Sequence, residues 1–187
     1  MQSGQDAASR VNRFALVAYI PDPLGAFLDA VRRQLAPTCL PRAHVTVLPP
    51  RPVAAPVESA VAELQAGIAD LASFEIAAQD VALFEETSVI YLGLGAGNSE
   101  FHRIHRRLNR GLLEFREPFS YHPHITLAQD LRPDDAARVL AEARRRWAEY
   151  DGPRSFPVGT ITFVRNTEQN GWMDLARWTL GAAPPAS

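Results

Sequence analysis

His44-Val45-Thr46-Val47 and His124-Ile125-Thr126-Leu127 share one pattern: His, apolar, Thr, apolar. They lie 80 residues apart in a chain of 187. Side chains in a β-strand alternate between faces, so the His and Thr of each tetrad point one way and the apolar residues the other. Each tetrad therefore presents one imidazole and one hydroxyl together. Two such strands on one cleft supply two imidazoles, enough for a general acid and a general base. The i−2 positions extend the same face. Arg42 offers a planar guanidinium that suits a phosphate, and His122 sets a second imidazole beside His124, on the substrate border.

The elements around the tetrads come in a repeated order. Residues 1–12 form a polar N-terminal arm. Arg13–Ile20 reads as a strand, and Asp22-Pro23 marks a helix start. Leu24, Phe27, Leu28, Val31 and Leu35 then keep helical spacing. Arg42–Leu48 is the first tetrad strand, stopped by Pro49-Pro50, and Val57, Val61, Leu64, Ile68 and Leu71 mark a second helix. Phe74–Phe84 and Ser88–Leu94 read as a hairpin. In the second half a helix carries Phe101, Ile104, Leu108, Leu112 and Phe115, and Tyr121–Ala128 is the second tetrad strand. A helix from near Pro133 and a hairpin from Phe156–Arg165 to Gly171–Leu180 complete it. The halves look duplicated in architecture rather than in residue identity. The tail, 182–187, is rich in Ala and Pro.

Composition removes several classes. The net charge of −2 argues against a protein that coats long nucleic acid. All 19 basic residues are arginine, so a Walker-type phosphate loop, Schiff-base chemistry and ATP-dependent ligation through an adenylated lysine are excluded. Cys39 is the single cysteine; no intrachain disulfide can form, which fits a reducing cytoplasm, and Cys39 reads as a small buried residue. No run of 18 apolar residues exists, and the polar start carries no secretory signal.

Paired His-x-Thr-apolar tetrads in duplicated α+β halves resemble the two-histidine (2H) phosphoesterase superfamily, and within it the bacterial 2'-5' RNA ligase / RNA 2',3'-cyclic phosphodiesterase-like group. The resemblance covers residues from about 13 to 180. The opening strand Arg13-Phe14-Ala15-Leu16, the block Tyr121-His122-Pro123-His124-Ile125-Thr126-Leu127 and the closing Trp178-Thr179-Leu180-Gly181 strengthen it. It implies a single α+β domain over 13–181, with two pseudo-repeated lobes, two antiparallel sheets facing a central cleft and helices packed outside. It implies hydrolysis of 2',3'-cyclic phosphates or 2'-linked phosphodiesters in RNA ends or small nucleotides, without metal or cofactor, and the reverse ATP-independent 2'-5' ligation. It carries the catalytic pair onto His44 and His124 and the phosphate-binding hydroxyls onto Thr46 and Thr126. The pseudo-symmetry leaves the acid and base open; His124 as base and His44 as acid is the assignment adopted.

Strand aromatics Phe14, Phe84, Tyr91, Tyr121 and Trp172 are candidates to stack on a base, with Phe14 and Tyr121 assigned to the substrate. His102 and His105 read as structural or solvated. The arginines at 106, 107 and 110 and at 144–146 read as solvated helix faces. Two other classes stay open: a non-catalytic RNA- or nucleotide-binding module, and a metal-dependent hydrolase built on His122 and His124.

Overall fold

The computed structural model describes residues 13–37, 41–167 and 171–181. The polar arm, Cys39 and the Ala/Pro tail lie outside the described residues. The strands are β1 (Phe14–Tyr19), β2 (His44–Arg51), β3 (Phe74–Phe84), β4 (Val89–Leu94), β5 (Ile125–Ala128), β6 (Ser155–Val158), β7 (Thr160–Asn166) and β8 (Trp172–Thr179). The helices are α1 (Leu24–Leu35), α2 (Val57–Ile68), α3 (Asn98–Leu108) and α4 (Pro133–Ala148), with one 3₁₀ turn at Gly111–Leu113.

Local chemistry sets most of these boundaries. Asp22, just before the N-cap Pro23, accepts a hydrogen bond from the Ala26 N–H at 2.8 Å and so satisfies one free N–H of the first turn of α1. Gly97 turns the chain from β4 into α3 at φ +83°, where a Cβ would lie 2.0 Å from the Glu75 carbonyl oxygen. α3 ends at Leu108 instead of reaching Phe115, because Asn109 leaves helical geometry and its side chain bonds the Phe115 N–H and carbonyl.

Among the described residues the strands form one antiparallel sheet, in the order β6-β3-β4-β5-β2-β1-β7-β8. Two separate sheets were expected; the backbone instead pairs across the midline, where Val45 faces Ile125. Both side chains are fully buried. Separate sheets would leave two unpaired strand edges at that buried line. The sequence halves also interlock. The hairpin β3–β4 of the first half extends β5, and β7–β8 of the second extends β1.

Phe156–Arg165, expected as one strand, is two. β6 pairs with β3 and β7 with β1, at opposite flanks of the sheet, although only Gly159 separates them. The sheet therefore curls until its flanks meet. The Ser73 N–H donates to the Gly181 carbonyl at 2.8 Å and the Gly181 N–H to the Leu71 carbonyl at 2.9 Å, tying the start of β3 to the end of β8.

The four helices pack on one face of the sheet. That core holds Leu16, Val45, Val47, Ile76, Ile90, Leu92, Ile125, Leu127 and Phe163 from the strands, with Leu28, Leu64, Phe101 and Ile104 from the helices. The opposite face carries Ala15, Val17 and Val164 beside Tyr19 and Trp172. β1 is thus buried on both faces, which is why its sequence, FALVAY, is apolar throughout. No described helix is long and apolar enough to cross a membrane.

Candidate active site

β2 and β5 are the two central strands, and their register sets the site. With Val45 opposite Ile125 in an antiparallel pair, His44 falls opposite Thr126, and Thr46 opposite His124. All four side chains share the face that the helices leave uncovered. Alternation alone predicts two of them per strand; the register makes the four a cluster.

The two histidines are held alike. His44 Nδ1 lies 2.6 Å from the Arg42 carbonyl oxygen, and His124 Nδ1 lies 2.6 Å from the His122 carbonyl oxygen. A carbonyl only accepts, so each Nδ1 carries its proton and donates it. Each Nε2 is left as the nitrogen able to take or give a proton. Aromatic rings wall both imidazoles. Trp172 (4.8 Å between centroids) and Tyr19 (6.4 Å) flank His44. Phe84 (5.1 Å) and Tyr91 (5.2 Å) flank His124. Trp172 is three strands from β2 in the ladder and reaches His44 because the C-terminal hairpin curls over this face. An irregularity in the β7–β8 register, between Phe163 and Val164, bends it there.

Both imidazoles favour the neutral form. Burial, with the Arg32 charge and then His124 opposing a second cation, pushes His44 down to about 3. Burial also lowers His124, with His122 adding to the effect and the His122 carbonyl opposing it. His44 is buried and His124 half-buried. At neutral pH the free site therefore holds two uncharged imidazoles, and a bound anion is what would charge one. An imidazole NMR titration over about pH 4–9, with and without saturating sulfate, checks this. His44 should stay neutral throughout, His124 should titrate below a free histidine, and sulfate should raise His124. A midpoint for His124 that sulfate leaves unmoved would contradict the reading.

Side chains from outside the two strands hold the tetrad backbones. The Tyr121 hydroxyl donates to the Thr46 carbonyl at 2.8 Å, and Arg32 Nη1 donates to the Thr126 carbonyl at 3.1 Å. Arg32, on α1, also donates to the Pro41 carbonyl at 2.8 Å. Asp29 of the same helix accepts from the Ala43 N–H at 2.6 Å, one residue before His44. Tyr121 is braced in turn: it stacks on His105 at 3.8 Å, and His105 Nε2 lies 2.9 Å from Glu117 Oε1. Glu117 accepts from Arg51 at 2.7 Å.

The expected substrate residues divide. Arg42 and His122 lie exposed at the rim. Arg42 sits over the Tyr19 ring, 3.9 Å from its centroid. His122 packs edge-on to Phe84 and Tyr91. Phe14 does not reach the site: it stacks on Phe163 at 5.6 Å in the helix-side core, on the face away from His44. Tyr121 spends its hydroxyl on the Thr46 backbone, so it positions the site instead of lining it. The rings against the imidazoles are Trp172, Tyr19, Phe84 and Tyr91. Tyr121→Phe keeps the stacking on His105 and removes one hydrogen bond, worth about 1 kcal/mol, so kcat should fall about five- to tenfold with KM nearly unchanged. Steady-state kinetics beside a thermal melt measures this.

Arg32, Asp29, Glu117 and Arg51 were missed from sequence. Arg32 left a signal: it occupies i+4 from Leu28 and i+8 from Leu24, an arginine on the apolar face of α1. As for metals, no group of three or more His, Cys, Asp or Glu among the described residues could hold one. Among the described residues no third side chain of these types joins His122 and His124, whereas a metal site needs at least three protein ligands.

A family model described as the 2'-5' RNA ligase superfamily matches residues 20–170. No curated protein matches the chain by sequence. Among solved structures, E. coli LigT complexed with 3'-AMP aligns with a TM-score of 0.62 at 18% identity, over 90% of this chain and 98% of that one. E. coli LigT complexed with NADP+ gives 0.62 at 20% identity, over 92% and 99%. The protein TT0787 of Thermus thermophilus gives 0.59 at 17% identity, over 91% and 98%. At these identities the likeness is one of fold.

Proposed function

The chain belongs to the 2'-5' RNA ligase superfamily, and from that premise we propose that it is a metal-independent phosphodiesterase opening 2',3'-cyclic phosphates or 2'-linked phosphodiesters of RNA ends or small nucleotides. The observation that carries the reading is the pair of imidazoles with identical Nδ1 bonds and two open Nε2 atoms, set beside two threonine hydroxyls on adjacent strands. A binding module has no need of two matched imidazoles. The solved structures of E. coli LigT with 3'-AMP, ATP and NADP+ add support for a small nucleotide as ligand.

The chemistry follows from the roles each group can fill. Water attacks phosphorus in line with a ribose oxygen. One Nε2 takes the water proton, the P–O bond to ribose breaks, and the other Nε2–H gives its proton to the departing oxygen. The products are a phosphomonoester and a free hydroxyl. Thr46 and Thr126 donate to the non-bridging oxygens, where negative charge gathers. His44, buried beside the Arg32 charge, is the poorer holder of a proton. This favours His44 as base and His124 as acid, the reverse of the assignment adopted from sequence. With a 5'-hydroxyl in place of the attacking water, the same two proton transfers open a cyclic-phosphate end without ATP: the new P–O5' bond forms, the P–O3' bond breaks, the 3'-oxygen takes the proton, and a 2'-5' linkage results.

The test is a panel of 2',3'-cyclic, 2'-5' and 3'-5' substrates assayed with EDTA. Turnover of the cyclic or 2'-linked members should survive chelation. Loss of activity on chelation, restored by a divalent ion, would favour the His122–His124 metal reading; silence on every substrate in a folded protein would favour the binding module.

A further inference from the structure

Hydrolysis at the four tetrad residues leaves one feature unused. A pocket of 380 Å³ opens beside His44, lined by Tyr19, Pro41, Arg42, Gly171, Trp172 and Asp174. Two of its rings, Trp172 and Tyr19, are those that flank His44, so a group bound there lies next to a phosphate held at the tetrads.

The lining is chemically mixed and its geometry is set by internal bonds. The Tyr19 hydroxyl donates to Asp174 Oδ1 at 2.8 Å. Arg42 lies over the Tyr19 ring and reaches Asp174 Oδ2 at 4.0 Å, while Arg177 reaches the same oxygen at 3.4 Å. The carboxylate is thus oriented by Tyr19 and by two guanidinium groups. Burial and the neighbouring Asp174 push the Tyr19 phenol up to about 12, so it remains a donor at neutral pH.

Few ligands call for an indole, a carboxylate and a guanidinium together. A bare phosphate has no use for the ring and is repelled by the carboxylate. A nucleobase has both a π face and a polar edge. A carboxylate only accepts hydrogen bonds, and among the four RNA bases guanine alone presents two adjacent donors, N1–H and N2–H, with the O6 acceptor next to them. Adenine N1 and cytosine N3 would set a lone pair against Asp174. Uracil offers a single N3–H between two carbonyls.

We propose that this pocket is a guanine-selective base subsite, in which Trp172 stacks on the base, Asp174 accepts from N1–H and N2–H, and Arg42 donates to O6. It rests on the phosphoesterase reading, because it places guanosine on the side of the cleaved phosphate nearest His44. Arg42 and Asp174 are exposed in the free protein, and a base stacked on Trp172 covers them, so a base that leaves them unpaired binds less well.

The experiment has two arms. In the first, kcat/KM is measured for the 2',3'-cyclic phosphates of guanosine, inosine, adenosine, cytidine and uridine. Guanosine should lead adenosine by about 10–10²-fold, with inosine, which lacks N2–H, in between. Asp174→Asn should erase that lead, by lowering the guanosine value and relieving the lone-pair opposition to adenine. In the second, 3'-GMP and 3'-AMP are titrated onto the full chain and binding is read by calorimetry, which needs no turnover. Preferential 3'-GMP binding that Asp174→Asn abolishes supports the subsite even if no cyclic phosphate is hydrolysed, in which case the phosphoesterase reading fails by itself. Equal binding of both nucleotides, or a guanine preference unchanged in Asp174→Asn, overturns the proposal. Should Asp174→Asn not fold, Arg42→Met takes its place, and its guanine lead should fall as well.

Discussion

Replacing His44 or His124 by alanine is expected to lower kcat by about 10²–10⁴-fold, since each removes one proton-transfer partner from the transition state. Substrate binding should weaken far less, because neither imidazole is charged in the free site and little ground-state attraction is lost with it. The double variant should not show the product of both losses, as acid and base serve one proton-transfer cycle. Thr46→Ala and Thr126→Ala should cost about 10–10²-fold, each removing one hydrogen bond to a charged group worth roughly 1.5–3 kcal/mol. Single-turnover kinetics separates the chemical step from product release. Wild-type turnover in folded His44→Ala and His124→Ala, on every substrate, would remove the catalytic assignment.

Glu117→Leu is expected to give the largest loss of stability, about 3–5 kcal/mol, because it leaves the Arg51 guanidinium buried without its counter-charge. Arg51 is 1% exposed and Glu117 9%, at 2.7 Å. Arg51 also donates to the Pro49 and Leu113 carbonyls and to Asn109 Oδ1. Burial pulls the Arg51 proton affinity down and Glu117 holds it up. Urea unfolding measures the loss. The paired variant Arg51→Met with Glu117→Leu should recover much of it, since no charge is then left inside. A Glu117→Leu protein as stable as wild type would show the pair to be solvated. Activity should respond too, because Glu117 holds His105, His105 stacks under Tyr121, and Tyr121 bonds the Thr46 backbone.

The sequence by itself determined the reactive groups and the face each tetrad presents. Strand periodicity is local: with Val45 and Ile125 buried, His44, Thr46, His124 and Thr126 must emerge opposite them. The helix starts at Asp22 and Pro133 and the hairpin around Glu85 were legible for the same reason, since caps, prolines and turns act over a few residues. Everything that joins distant segments was decided by the tertiary structure. The sequence could not show that Val45 meets Ile125 and so fuses two expected sheets into one, because pairing across 80 residues leaves no local trace. It could not tell Phe14 from Trp172 as the ring facing the site: one residue of offset decides which face a strand side chain takes, and only the curl of the C-terminal hairpin brings Trp172 over His44. The tetrads announced their chemistry, whereas Tyr121, Arg32 and the Arg51–Glu117 pair, which hold those tetrads in place, acquire their roles only when segments far apart in the chain are packed together.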